Sequence, residues 1–516
     1  MKAVLILSFA LIAVLVPAAR AQKTEPFVND EVLVKFKTDI PAAARAKAVE
    51  RANVVERLGE TGWVRVKLTG GEDVNSAVAR FRESREIEAV QPNFYYHLLL
   101  TPNDPQFTSN GMYGLTKISA PQAWDLTTGS LAVVVADIDT GMRYTHQDLA
   151  PNAWTNPGEI AGNGVDDDNN GFIDDIYGWD FFYNDSNPID DAGGHGTHTA
   201  GTIGAAGNNL LNVVGVNWNV KIMPIKIYSP NGTDSTSAML VNAYNYVRMM
   251  KLRGVNIRVT NNSYGGCGEA CGYDQATKDA LDAMGDAGIL NVFAAGNANV
   301  NNDTNASPSY PAVYTSPSIL AVASSTSTDA RSSFSSWGPI SVDLAAPGSG
   351  ILSTYNSSDT ATATLSGTSM ATPHTAGAAA LLSAYNPNLS VASLKATLMN
   401  TVDVITTPTN WSQFVKSGGR LNVFAALQNQ TICTFTPSAA AVTATTKGGY
   451  YSVDISAARN CDASVRSNAN WIRISGPDNI SGNAAVTFRV TLNPGISRTG
   501  TITVGGQTIT VTQSRS

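Results

Sequence analysis

Between residue 101 and about residue 430, short apolar runs alternate with longer stretches of helical spacing. Val133 to Ile138, Val220 to Ile225, Ile289 to Ala294 and Ser318 to Ala323 are apolar segments of strand length. Ser237 to Leu252 and Gln275 to Ala287 read as helices. Buried strands separated by helices predict a parallel sheet covered on both faces, an α/β unit. In such a sheet, functional side chains gather at strand C-terminal ends and helix N-termini.

The flanks follow other patterns. Glu31 to Lys37 and Trp63 to Leu68 alternate as strands, and the Ala-rich stretch Pro41 to Val54 reads as a helix. Val74, Ala77, Val78 and Phe81 fall at helical spacing, and a short strand follows near Ile87 to Val90. This strand–helix–strand–helix–strand order predicts a small ferredoxin-like α+β unit over residues 22–100. Residues 431–516 are rich in Thr, Ser, Val, Gly and Asn. Thr501 to Val504 and Gln507 to Val511, joined by Gly505-Gly506, form a strong hairpin signal. An all-β sandwich is expected there. No internal repeat is evident.

Composition adds a compartment. Lys2, an apolar run from Ala3 to Pro17, and the small-x-small pattern Ala19-Arg20-Ala21 mark residues 1–21 as a signal peptide. The run is shorter than the roughly 20 residues a membrane span needs, and no later segment is apolar enough. The mature chain is therefore expected to be secreted. Charged residues make up 15% of the chain, below the ~25% of average soluble proteins. The net charge of −7, without a basic tract, argues against a nucleic-acid partner. Four cysteines in an exported chain suggest two disulfides, paired by sequence proximity as Cys267 with Cys271 and Cys433 with Cys461. A metal site is the alternative, although no His lies near either pair.

Five histidines make the search for a general base short. His195 stands in Gly193-Gly-His-Gly-Thr-His198, at the mouth of a small-residue helix. Asp139 ends the apolar run at Ile138 and opens an Asp-Thr-Gly turn, where an acid can orient a histidine. Asp137 competes with it, because strand alternation puts both on one face. Ser369 lies at a helix start in Gly367-Thr-Ser-Met-Ala-Thr-Pro-His374, where the dipole and free N–H groups favour developing negative charge. Pro373 fits near that first turn. Asn297 closes Ala294-Ala-Gly-Asn297, at the tip of another strand, and its amide can donate to an oxyanion.

In this order, Asp139-Thr-Gly141, His195-Gly-Thr-His198 and Gly367-Thr-Ser-Met-Ala-Thr-Pro-His374 resemble the three signatures of the subtilisin-like serine proteases. Asn262-Ser-Tyr-Gly-Gly266, Tyr310-Pro-Ala312 and Ala345-Ala-Pro-Gly348 extend the match over about residues 101–430, closest to the thermitase-like branch. The resemblance implies Ser369 as nucleophile, His195 as base, Asp139 as its orienting acid, and Asn297 with the Ser369 N–H as oxyanion hole. It implies a substrate pocket lined by Ser263, Tyr264, Gly265, Ala295, Gly296 and Asn297, with Ala298 and Ser309 at its wall and base. With no charge there, apolar or aromatic residues are expected before the cut.

Structural calcium is also expected. Asp166, Asp168 and Asn170 alternate before Gly171, with Asp175 following, as in an EF-hand-like loop. By resemblance, Asp104, Asp148 and Asn209, with carbonyls of Ala206, Leu211 and Val213, match the family's tight calcium site. Asp180 and Asp185 match a third site, but Tyr183 and Ile189 replace expected oxygen ligands. Residues 22–100 resemble the family's inhibitory propeptides, which assist folding and block the cleft until cut near residue 100. Cys433, Pro437, Cys461, Trp471-Ile472 and Arg498-Thr-Gly-Thr-Ile502 resemble a BACON-type domain, implying glycan or surface-polymer binding; a plain spacer is the alternative. The implied partners are protein or peptide substrates and the chain's own propeptide, with neither nucleic acid nor membrane. A catalytically inactive exoprotein binding surfaces through its C-terminal domain is the competing reading.

Overall fold

A computed structural model describes residues 27–515, apart from 51, 95–99, 110, 192, 231–233, 266–272, 431–434 and 458–460. The expected signal peptide and Cys267, Cys271 and Cys433 lie outside the described residues; Cys461 is buried and disulfide-bonded. The chain forms two compact units, Met1–Leu98 and Leu99–Ser516.

The first unit contains β1 (Phe27–Phe36), α1 (Ala42–Ala48), β2 (Ala52–Arg57), β3 (Trp63–Leu68), α2 (Val74–Arg82) and β4 (Ile87–Phe94). Its antiparallel sheet runs β2-β3-β1-β4. The helix expected over Pro41 to Val54 ends early, and Ala52–Arg57 becomes a strand with Val54 opposite Val66. The β-branched pair Val54-Val55 favours this pleated conformation over continuation of the Ala-rich helix. In α2, Asp73 caps the N-terminus by accepting from Asn75 and Ser76 N–H groups. Val74, Ala77, Val78 and Phe81 are buried against the sheet as their spacing predicts.

The second unit is built on a nine-stranded sheet. Its framework is β5 (Gly129–Asp139), β6 (Trp179–Asp180), α3 (His195–Gly204), β7 (Asn219–Lys226), α4 (Ser237–Leu252), β8 (Ile257–Asn262), α5 (Gln275–Asp286), β9 (Leu290–Ala294), β10 (Ile319–Ser325), β11 (Leu344–Pro347), α6 (Thr368–Tyr385), β12 (Asp403–Val404) and β13 (Gly419–Arg420). The order is β12-β13-β11-β10-β9-β8-β5-β7-β6, parallel except where β12 meets β13. The chain leaves β5 for β7 on one side and returns to β8 on the other. The crevice beyond the C-terminal ends of β5 and β8 is therefore the topological switch point at which open α/β sheets bind ligands. Helix α6 is buried along Thr368 to Ser383 and joins the core cluster on one face of the sheet. Helices α4 and α5 cover the other face.

Residues 435–515 form two further β-sheets, of four and five strands, around a core including Phe435, Val453, Phe488, Ile502 and Ile509. Strands Arg498–Val504 and Gln507–Gln513 make the expected hairpin, and Gly505 and Gly506 both take positive φ, as a two-residue type I′ turn requires. Among the described residues, no helix is long and apolar enough to cross a membrane.

Candidate active site

Strand β5 ends on Asp139, which is 1% exposed. Asp139 Oδ1 accepts from the Thr140 N–H and lies 2.7 Å from His195 Nδ1. His195 is the first residue of α3, and the chain enters that helix through Gly194 at φ +81. Gly196 packs on the Gly141 carbonyl so closely that a Cβ would lie 2.1 Å from it. Only glycine there lets the helix start approach the Asp139 turn. Asp190 stitches the same junction: Thr197 donates to it through both N–H and hydroxyl, and Thr140 through its hydroxyl. Asp137 points into the interior and meets Thr199 and Asn261, so contact separates it from Asp139 where strand alternation did not.

The His195 ring is one-third exposed. Burial opposes its charged form. The attraction and hydrogen bond of Asp139, with Asp137 and Asp190 further off, more than offset this and push its pKa up to about 9. His198 and His374 are buried away from such partners, and burial takes both down to about 4. His198 Nε2 meets the Ile351 and Ala363 carbonyls, which makes it a neutral cross-brace.

Ser369 is the second residue of α6, so its N–H has no intrahelical acceptor. Its hydroxyl donates to the Ser263 carbonyl at 2.9 Å, and among the described residues it makes no hydrogen bond with His195. Asn297 is exposed, and its Oδ1 accepts from both the Thr368 N–H and the Thr368 hydroxyl at 2.9 Å. With its oxygen held twice, the Asn297 Nδ2 group is left as a donor without an acceptor among the described residues.

These groups border a cleft of about 280 Å³. Of the expected pocket residues, Ser263, Tyr264, Gly265, Gly296 and Asn297 line it. Ala295 is instead fully buried, and Ala294 lines the cleft. Ser309 stands behind Gly296, where a Cβ would meet its Oγ at 2.3 Å, and exposed Ala298 lies outside the lining. Thr140, inside the Asp139-Thr-Gly141 turn, also lines the cleft, as does Tyr228, which no pattern in the sequence announces.

The expected cation loops sort differently. Carboxylate oxygens of Asp168 and Asp175 converge with Glu159, which the EF-hand spacing could not reveal. Asp166 does not join them, because its two oxygens accept from the Asn170 and Gly171 N–H groups. Asn170 turns its NH₂ toward Asp168 and Asp175, and its oxygen accepts from the Phe172 N–H. Asn156, Tyr246 and Arg253 donate to the same carboxylates. In the second set, Asp104 and Asp148 are fully buried and bind one loop: Asp104 accepts from the Asn208 N–H, Asp148 from Asn209 Nδ2 and the Val213 N–H. Among the described residues, Asp104 Oδ1 is buried without a donor, as an oxygen awaiting a cation would be. The Ala206 N–H bonds the Asp148 carbonyl and the Leu211 N–H bonds Asn209 Oδ1, so this loop folds around the two acids. Near Asp180, the buried Lys226 ammonium lies 3.0 Å from Asp180 and 2.9 Å from Asp191, an internal cation where a third ion was in question.

Comparison with known proteins agrees with this architecture. A model of the subtilase family matches residues 130–464, and a model of the fervidolysin N-terminal prodomain matches residues 16–93. Thermitase of Thermoactinomyces vulgaris is 38% identical over 329 residues, covering 64% of this chain and 99% of its own length. A thermophilic serine proteinase of Bacillus sp. strain AK1 is 29% identical over 403 residues, 78% of this chain and 88% of the relative. An extracellular protease of Xanthomonas campestris is 33% identical over 331 residues, 61% of this chain and 55% of the relative. The chain belongs to the subtilase family and is a serine endopeptidase of that family, preceded by a fervidolysin-like prodomain.

Proposed function

We propose that this protein is a secreted protease that cleaves peptide bonds through an acyl-enzyme on Ser369. The observation that carries the reading is the 2.7 Å contact of His195 Nδ1 with Asp139, in the cleft that Ser369 and Asn297 also line. Rotation about the Ser369 Cα–Cβ bond takes the hydroxyl from the Ser263 carbonyl toward His195 Nε2. Neutral His195 accepts the hydroxyl proton as Oγ bonds to the scissile carbonyl carbon. Asn297 Nδ2 and the Ser369 N–H donate to the oxygen that gains charge. Collapse expels the amine, which takes the proton from His195. Water then attacks the acyl group with His195 again as base, and Ser369 is restored.

Among the described residues, those that line the cleft on the side of Ser263–Gly265 and Ala294–Asn297 carry no charge, which supports apolar or aromatic preference before the cut. Asp104, Asp148 and the Asn209 side-chain oxygen would hold a structural calcium, which supplies charge neutralisation and loop rigidity. Glu159, Asp168 and Asp175 form a second candidate set. The prodomain serves as inhibitor and folding aid. On the C-terminal sandwich, Tyr450 is 74% exposed with Arg489 over its ring, a surface suited to stacking a sugar. The test is labelling of the matured protein by a fluorophosphonate, with the adduct mapped by peptide mass. Label at Ser369, lost in Ser369→Ala together with casein cleavage, is expected; labelling elsewhere would overturn the assignment.

A further inference from the structure

Asp137 is 2% exposed, two residues before Asp139, and the proposed reaction has no use for its charge. Its contacts are specific. Thr199 Oγ1 lies 2.9 Å from Asp137 Oδ2 and 3.0 Å from the Gly196 carbonyl. A hydroxyl has one proton, and a carbonyl can only accept. Both contacts are hydrogen bonds when Thr199 donates to Gly196 and Asp137 supplies the other proton. On its second oxygen, Asp137 accepts from Asn261 Nδ2 at 2.8 Å. The same Nδ2 reaches Ser263 Oγ at 3.1 Å, and that hydroxyl donates to the Ser369 carbonyl at 2.9 Å. One side chain thus connects the β5 end, the α3 start, the β8 end and the α6 start.

The electrostatics agree. The strands on either side place Pro224 and Asn261 opposite Asp137, neither of them charged. The titratable groups that face it are Asp139 on its own strand and His195 on α3. His374, the histidine of α6, is bonded to the Met370 carbonyl of its own helix. Asp139 already has one buried oxygen, Oδ2, without a donor among the described residues. A second carboxylate beside it would be a dry, uncompensated charge. Burial, followed by the Asp139 charge, accordingly pushes the Asp137 carboxyl well above the usual range.

We propose that Asp137 is a positioning residue that acts as an uncharged acid, donating to Thr199 and, through Asn261 and Ser263, fixing the His195 and Ser369 helices relative to Asp139. The inference rests on the Ser369–His195–Asp139 reading and deepens it. It separates two carboxylates on one face of one strand by protonation: one charged against His195, one neutral beneath it.

The test uses the matured full-length protein and a chromogenic peptide, with kcat and KM measured across pH. Asp137→Asn replaces the acid O–H by an amide N–H, so the acidic limb of the profile stays in place and kcat falls by less than about tenfold. Asp137→Ala, which cuts the network, lowers kcat by about tenfold or more with KM little changed. Thr199→Val removes one arm alone and gives a smaller fall of the same kind, a check that remains if Asp137→Ala does not mature. An acidic limb displaced downward by about one pH unit or more in Asp137→Asn would mean that the wild-type group is charged, and would overturn the proposal. Full kcat in Asp137→Ala or in Thr199→Val would overturn it as well. Wild-type protein that takes no label at Ser369 removes the underlying triad reading; labelled wild type with unaltered variants removes this inference alone.

Discussion

Ser263 and Ser369 exchange two hydrogen bonds: the Ser263 hydroxyl donates to the Ser369 carbonyl, and the Ser369 hydroxyl donates to the Ser263 carbonyl, both at 2.9 Å. Pro373 accounts for the first. It lies inside α6, four residues after Ser369, and has no N–H to close the helical bond to that carbonyl. The Ser369 carbonyl would be a buried orphan without Ser263. Ser263→Ala, in a Ser369→Ala background that prevents self-cleavage, is expected to cost about 1–3 kcal/mol of stability. Pro373→Ala restores the helical donor, so the two changes together should cost less than their sum, with coupling of about 0.5–3 kcal/mol. Thermal unfolding at fixed scan rate measures the cycle; strict additivity would disprove the link.

The oxyanion assignment depends on how Thr368 holds Asn297. Asn297→Leu keeps the bulk and removes the donor, and kcat is expected to fall about 10²–10³-fold with KM little altered. Thr368→Val removes one of the two bonds to Asn297 Oδ1 and leaves the backbone N–H, so its loss should be smaller. Single-turnover acylation rates check both. An Asn297→Leu protein with wild-type acylation would show that another group carries the charge.

The pH dependence follows from His195. Its pKa lies above the ordinary ~6.5 and as high as about 9, because nearby carboxylates stabilise the imidazolium. Only the neutral ring accepts the Ser369 proton, so kcat/KM should rise from acid to alkaline pH with a midpoint between those values. The stability sign is opposite: the charged pair's contribution is full below the unfolded value and is lost as pH rises through the folded one. Asp139→Asn should lower kcat by about 10⁴-fold and bring the midpoint down. An unmoved midpoint would detach Asp139 from His195.

Much of this was legible in the chain. Helix α4 spans Ser237–Leu252 as its spacing predicts, and Asp139 and His195 meet because an apolar strand tip and a glycine-flanked helix start both point to the crevice. Strand β8 was harder to see. It carries Thr260, Asn261 and Asn262 into the interior, where Thr260 pairs with Asn291 and Asn262 with the Val292 carbonyl. Buried polar side chains that satisfy one another leave no hydrophobic period. Glu159 was hidden for a different reason: it comes from outside the loop whose spacing suggested ligands. The direction of the Ser369 hydroxyl is a rotamer choice that no spacing encodes.

The calcium reading makes a prediction that changes sign with conditions. Asp104 and Asp148 are fully buried, repel each other, and share a loop that donates to three of their four oxygens. Bound calcium would neutralise the pair, so chelation should shorten the half-life at elevated temperature. Asp104→Asn removes one charge and weakens the site. In excess calcium this variant should therefore inactivate faster than wild type. In excess chelator it should last at least as long, because the repulsion is gone while the introduced amide oxygen can still accept from the Asn208 N–H. Ligand binding stabilises by about 2.7 kcal/mol at a hundredfold excess over Kd, so a titration of half-life against free calcium gives the affinity as well. Curves for wild type and variant that run parallel, without crossing, would show that these carboxylates hold no ion.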